Sequence, residues 1–284
     1  MRKVIHGCVG LFAVCFVLAG CSDEPGRAAT PNVNSSQGVE DATSFEATKR
    51  AAEQGDAEAQ FRLAGMYAEG RGVAKDDAEA AMWCQKAAEQ GEAMAQANLG
   101  WMYAKGVGVT KNEAEAVKWY RLAAEQGSER AQSILGWMYA NGWGVAQDDV
   151  EAVKWYRLAA EQGEAKAQAN LGWMYAKGLG VTRNEAEAVK WYRLAAEQGH
   201  ALAQASLGWI YANARGVTKD EAEAVKWFQK AADQGHAEAQ FELAGMYFHG
   251  RGVAKDEAEA VKWYQKAADQ GHQRAQDAVR ALSR

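Results

Sequence analysis

The sequence predicts an all-α fold, a right-handed α/α superhelical solenoid of six 36-residue helix-turn-helix repeats closed by half-repeat caps. Three observations predict it. A Glu-Gln-Gly or Asp-Gln-Gly triplet ends at Gly55, Gly91, Gly127, Gly163, Gly199, Gly235 and Gly271 with no insertion between, and a constant period of this size is the mark of stacked units that bury one another's apolar faces. Apolar residues recur at helical spacing in two runs per period. Proline is confined to Pro25 and Pro31, ahead of the array, so no ring interrupts the helices that follow.

The unit from Glu92 to Gly127 shows how each element arises. Ala95, Leu99, Met102 and Tyr103 form one apolar face of a first helix. Gly106 and Gly108 supply the backbone freedom for a tight reversal. Asn112 opens the second helix, with Glu115 three residues on placed to reach back as a capping box. The box recurs as Asp76/Glu79, Asp148/Glu151, Asn184/Glu187, Asp220/Glu223 and Asp256/Glu259. Ala116, Trp119, Ala123 and Ala124 make the buried stripe of the second helix, and Gly127 ends it with a left-handed cap. In the fifth unit Ala214 replaces the first turn glycine, which predicts one strained turn.

The pattern Ala-Gln-x-x-Leu-Gly-x-x-Tyr-x-x-Gly-x-Gly-Val, then Ala-Val-Lys-Trp-Tyr and Ala-Ala-Glu-Gln-Gly, resembles the Sel-one-like repeat, a relative of the tetratricopeptide repeat. It covers full repeats at 56–91, 92–127, 128–163, 164–199, 200–235 and 236–271. The resemblance implies an α/α superhelix used as an adaptor or binding surface. Some secreted relatives carry a disulfide in each unit and have been linked to β-lactam binding or hydrolysis. This chain departs from them, because its repeats contain only Cys84.

Residues 1–20 read as a lipoprotein signal peptide. Arg2 and Lys3 precede a mostly apolar run from Val4 to Val17, too short for a convincing membrane span. Leu18-Ala19-Gly20-Cys21 resembles a bacterial lipoprotein box, which implies cleavage before Cys21 and lipidation of that residue. Ser22 after it leans, by resemblance to sorting rules, toward an outer-membrane anchor facing the periplasm. Residues 21–44 then read as the lipidated cysteine and a disordered tether, rich in small and polar residues. The solenoid occupies 45–284. Phe45 to Gln54 reads as a second helix without its first, and His272 to Ser283 as a first helix without its second, the capping elements such arrays need.

The first helices carry the candidate binding surface. At 100° per residue, Met94, Ala97, Trp101, Ala104 and Lys105 project away from Leu99 and Tyr103, onto the side that lines the concave groove of tetratricopeptide-like arrays. Trp101, Trp137, Trp173 and Trp209 stand at one slot in the middle units, with Gly65 and Gly245 there at the ends, accompanied by Phe61 and Phe241. Lys105, Arg130, Lys166 and Lys177 lie beside the tryptophans. Such a row suits an extended peptide or a sugar chain; the alternative is that the indoles pack sideways as a spine. A second variable row in the turn, Arg71, Val107, Trp143, Leu179, Arg215 and Arg251, offers Trp143 as an edge contact.

A formal charge of −5, without a basic stripe, argues against a nucleic-acid partner. The chain holds no Ser-x-x-Lys, Ser-Asp-Asn and Lys-Thr-Gly set, no His-Glu-x-x-His and no paired-cysteine motif. His200, His236 and His272 share one slot in successive units, about 10 Å apart, too far for a common metal, and read as solvated turn residues. Cys84 stands where other units have Tyr or Phe and reads as a small buried filler. No catalytic residue, metal or cofactor is expected. The function expected is a lipid-anchored envelope scaffold that binds a protein or peptide in its groove. The alternatives are a peptidoglycan-binding protein or a hydrolase of β-lactam or cell-wall amide bonds.

Overall fold

A computed structural model describes residues 35–283, and among them fourteen α-helices and no strands. The signal segment, Cys21 and the first part of the tether lie outside the described residues. Helix α1 spans Ser35–Glu53. The six units follow as pairs: α2 Ala57–Glu69 with α3 Asp77–Glu89, α4 Ala93–Lys105 with α5 Glu113–Glu125, and α6 Glu129–Asn141 with α7 Asp149–Glu161. They continue as α8 Ala165–Lys177 with α9 Glu185–Glu197, α10 Ala201–Ala212 with α11 Glu221–Asp233, and α12 Ala237–His249 with α13 Glu257–Asp269. The last helix, α14, spans Gln273–Leu282. Each packs against the next in chain order, and first helices of neighbouring units also touch, α6 with α8 and α10 with α12. The array is therefore a solenoid with its first helices crowded on one side.

Helix α1 starts earlier than the sequence suggested. Residues 35–44 are helical, not part of a tether. Phe45, Thr48 and Ala52 dock on the first unit, and once that turn is nucleated each further residue adds a hydrogen bond for little extra ordering.

Within a unit the core is small residues against large ones. Leu99 and its equivalents Leu63, Leu135, Leu171, Leu207 and Leu243 are fully buried, each worth roughly 1.5–3 kcal/mol. In the four central units the next residue is glycine, because a ring fills the space a Cβ would need. A Cβ on Gly100, Gly136 or Gly208 would lie 3.0, 2.8 or 2.6 Å from the ring of Tyr120, Tyr156 or Phe228. In the first unit the pair is Ala64 and Cys84, with no ring at that slot, whereas the sixth unit carries Ala244 together with Tyr264.

The turns show which part of the capping box operates. Asn112 Oδ1 accepts the Ala114 and Glu115 amides at 3.1 Å, and all six predicted caps accept the amide three residues on. The glutamates do not reach back as expected. The Asn112 N–H donates instead to the Tyr103 carbonyl at 3.0 Å, which leaves Glu115 free to pair with Lys118. Glu79 accepts from Trp83 Nε1 at 3.2 Å.

The two turn glycines have separate duties. Gly106 adopts φ 74° to cap α4, whereas Gly108 lies against the preceding unit, where a Cβ would fall 1.8 Å from the Asp77 carbonyl oxygen. Gly144, Gly180 and Gly252 make the same approach to Glu113, Asp149 and Glu221. Ala214 bears out the strained turn. It has φ 54°, the one positive-φ residue other than glycine among the described residues, and α10 is a residue shorter than the other first helices of the units.

Units are also joined by buried amides. Gln96 is 4% exposed; its Nε2 donates to the Ala88 carbonyl at 3.1 Å and its Oε1 accepts from Gln126 Nε2 at 2.7 Å. Gln60, Gln132, Gln168, Gln204 and Gln240 repeat both contacts, to the helix before and to the unit's own last glutamine. Every amide in this row is satisfied inside an apolar seam, which fixes the register of one unit on the next.

Candidate functional site

The first-helix face presents the predicted tryptophan row, and its members divide into two environments. Trp101 and Trp209 are exposed, at 40% and 39%. Trp137 and Trp173 are partly buried and pack against the core. The row is thus neither a free aromatic strip nor a sealed spine: its central indoles are wedged between units while the outer two face solvent. Phe61 and Phe241, which accompany the end glycines, are half-buried. Phe241 is covered by a stacked His272 ring at 4.8 Å and by the Arg274 guanidinium at 4.2 Å.

The turn row that sequence treated separately belongs to this surface. Trp143 is half-buried, its ring 6.1 Å from that of Trp137, and Arg215 sits 5.7 Å from the ring of Trp209. In the end units Arg71 and Arg251 approach the space beside Gly65 and Gly245. In the third and fifth units the turn residue flanks the tryptophan of its own unit, and in the end units it approaches the gap left where tryptophan is absent.

All four predicted cations, Lys105, Arg130, Lys166 and Lys177, are exposed on this face. Sequence reasoning missed the slot three residues before each tryptophan, which holds Asn98, Ile134, Asn170 and Ser206 beside the row. Helical spacing alone would have placed it there. The same slot gives Arg62 and Glu242 at the ends. Burial, then the neighbouring Glu238 carboxylate, raises the Glu242 pKa above its usual range.

The three histidines are helix caps rather than solvated turn residues. Nδ1 of His200, His236 and His272 accepts the amide of Ala203, Ala239 and Ala275 at 3.3, 3.2 and 3.2 Å, the place taken by Asp56, Glu92, Ser128 and Glu164 in the other units. Burial pulls the pKa of His200 and His236 below the ordinary imidazole value. Among the described residues no group of three or more His, Cys, Asp or Glu side chains is arranged to hold a metal. Cys84 is 2% exposed, its thiol donating toward the Ala95 carbonyl at 3.3 Å. Burial first, and Glu92 second, push its pKa up to about 12, so the thiolate that a nucleophile needs is suppressed.

The first-helix face thus carries exposed Trp101 and Trp209 together with exposed Lys105, Arg130, Lys166 and Lys177. Comparisons with known proteins agree with the architecture. The Sel1 repeat model matches residues 57–92, 93–128, 129–164, 165–200, 201–236 and 237–272, one residue out of phase with the repeats read from the sequence. A Sel1 repeat protein from Oxalobacter formigenes is 36% identical, with TM-score 0.66 over 81% of this chain and 96% of that one. A protective antigen of uropathogenic Escherichia coli with an SLR fold is 41% identical, with TM-score 0.79 over 83% of this chain. The match spans half the length of that antigen. No curated protein matches the chain. Six consecutive matched units covering most of the sequence place it in a family: the chain belongs to the Sel1 repeat proteins, tetratricopeptide-like α-solenoids.

Proposed function

We propose that the chain is a non-enzymatic scaffold that holds a partner polypeptide along its first-helix face, displayed from the cell envelope by lipid on Cys21. The observation that carries the reading is the exposure of Trp101 and Trp209 at about two-fifths of their surface, in line with the half-buried Trp137 and Trp173. An aligned row of large aromatics on a rigid support is what dominates binding energy at protein interfaces. The backbone of the face is held by the buried glutamine row, so little ordering cost would accompany binding. The E. coli relative is described as a protective antigen, which is consistent with display at the cell surface or envelope.

Two measurements test this. Photocrosslinking from position 105 in whole cells, followed by recovery of the adducts, should trap polypeptide, and Trp101→Ala with Trp209→Ala should abolish the adducts while helical content is unchanged. Adducts that persist in the double variant would remove the face from consideration. Anchoring is tested by incorporation of labelled palmitate, expected in the wild type and lost in Cys21→Ala; labelling unaffected by that change would exclude Cys21 as the lipid site.

A further inference from the structure

Resting on the reading above, we infer that the segment bound by this face is acidic: an extended stretch of about six residues bearing several carboxylates. The inference comes from how the charges of the face are paired. At its ends the acids have partners. Glu58 bonds Arg62 at 2.8 Å, Glu69 bonds Arg71 at 2.7 Å, and Glu238 bonds His272 at 2.8 Å and Arg274 at 3.4 Å. In the middle Arg215 pairs with Glu185 at 3.4 Å, but four other cations have no such partner. Lys105, Arg130, Lys166 and Lys177 enter no ion pair among the described residues. The nearby carboxylates of Glu92 and Glu164 are turned inward as helix caps, accepting the amides of Ala95 and Ala167.

On the second helices the cations have partners of one kind or another. Lys118, Lys154, Lys190, Lys226 and Lys262 each pair with a glutamate three residues earlier, Lys86, Lys230 and Lys266 lie over tryptophan rings, and Arg121, Arg157 and Arg193 donate to tyrosine hydroxyls. A chain with net charge −5 thus leaves unpaired cations between Trp101 and Trp209, the exposed aromatics. Two unit steps separate Lys105 from Lys177, roughly 20 Å at about 10 Å per unit, which an extended segment covers with about six residues at ~3.3 Å each. At the ends Glu58, Glu69 and Glu238 are each matched by a cation, so the face has no excess of positive charge beyond this span, which sets the limit on length. A long uniform polyanion such as single-stranded nucleic acid would extend past the unpaired cations onto charge-balanced surface, whereas a short acidic stretch would not.

The test is selection of binders from a displayed library of random 12-residue peptides, using the soluble chain from residue 22 onward and, in parallel, Trp101→Ala/Trp209→Ala. The expected result is enrichment of Asp and Glu in a central cluster, absent from selections on the double variant. Affinity of an enriched peptide should fall roughly ten-fold in Arg130→Glu/Lys166→Glu and fall with added salt. It should not change in Lys118→Glu/Lys190→Glu, which alters the second-helix side. Enrichment that depends on the tryptophans but shows no acidic bias would overturn the inference and leave the scaffold reading standing. Loss of tryptophan dependence altogether would sink both. Tighter binding of a single-stranded oligonucleotide than of any acidic peptide would overturn it in favour of nucleic acid.

Discussion

The side-chain amide of Gln126 donates to Gln96, thirty residues earlier, at 2.7 Å, while Gln96 itself reaches the carbonyl of Ala88 in the preceding unit. One buried side chain therefore satisfies groups from two units at once. The consequence is that the stack has a specified register as well as apolar cohesion.

Replacing the equivalent Gln132 by Leu removes both contacts, leaving the Gln162 side-chain amide without its partner and the Ala124 carbonyl with only its backbone donors such as the Gly127 N–H. The expected cost is about 1–3 kcal/mol, read as a lower urea midpoint, with the loss concentrated at the boundary between the second and third units in hydrogen exchange. A stability within about 0.5 kcal/mol of wild type would mean the row contributes nothing net.

Glycine substitutions should separate two causes of the same sequence signature. Gly163 has φ 100° and open space around it, whereas Gly144 has φ 67° and a Cβ position 2.3 Å from the Glu113 oxygen. Gly163→Ala should cost on the order of 1 kcal/mol, the left-handed penalty alone. Gly144→Ala adds displacement of a neighbouring backbone and should cost on the order of 3 kcal/mol. Equal thermal midpoints for the two variants would contradict the assigned packing role.

Ala214 carries the left-handed penalty already, at φ 54°. Ala214→Gly should stabilise the fifth unit by about 0.5–1 kcal/mol once the greater freedom of glycine in the unfolded chain is subtracted. Differential scanning calorimetry against wild type checks the sign.

The histidine caps predict acid sensitivity. A depressed folded pKa means that the unfolded chain binds the proton more readily, so the contribution of His200 and His236 is complete above about pH 6.5 and is lost as pH falls toward the lower folded values. Glu164, Lys166 and Glu238 modulate the two rings. Glu242, raised by burial, acts in the opposite sense and is common to wild type and variant. His200→Ser/His236→Ser keeps a cap of the kind found at Ser128 and should narrow the difference in Tm between about pH 7.5 and about pH 5.5. An unchanged difference would show that the rings do not titrate on unfolding.

The Cys84 thiol should resist alkylation in the folded state. With its pKa pushed up to about 12 and its side chain almost wholly buried, modification by iodoacetamide near pH 8 should proceed only through opening of the first unit and accelerate with urea in parallel with unfolding. Rapid labelling of the native protein would contradict the burial.

The period, the helix pairs and the second-helix caps were legible in the chain, because each is set by local chemistry repeated every 36 residues: an Asp or Asn before a helix, glycine after it, apolar residues at helical spacing. What only the tertiary structure decided are contacts between units. Spacing put Trp101, Trp137, Trp173 and Trp209 in one row, but their different exposure depends on what flanks each, such as Trp143 against Trp137 and Arg215 against Trp209. The capping-box glutamates were misread for a related reason: the Tyr103 carbonyl, brought close by the turn, takes the Asn112 amide first. Likewise the role of Gln96 was invisible as a motif, since a glutamine shows its worth only when a carbonyl eight residues back and an amide thirty residues on are folded to meet it. Local sequence sets which groups face inward; the distances between units decide which of those groups find each other.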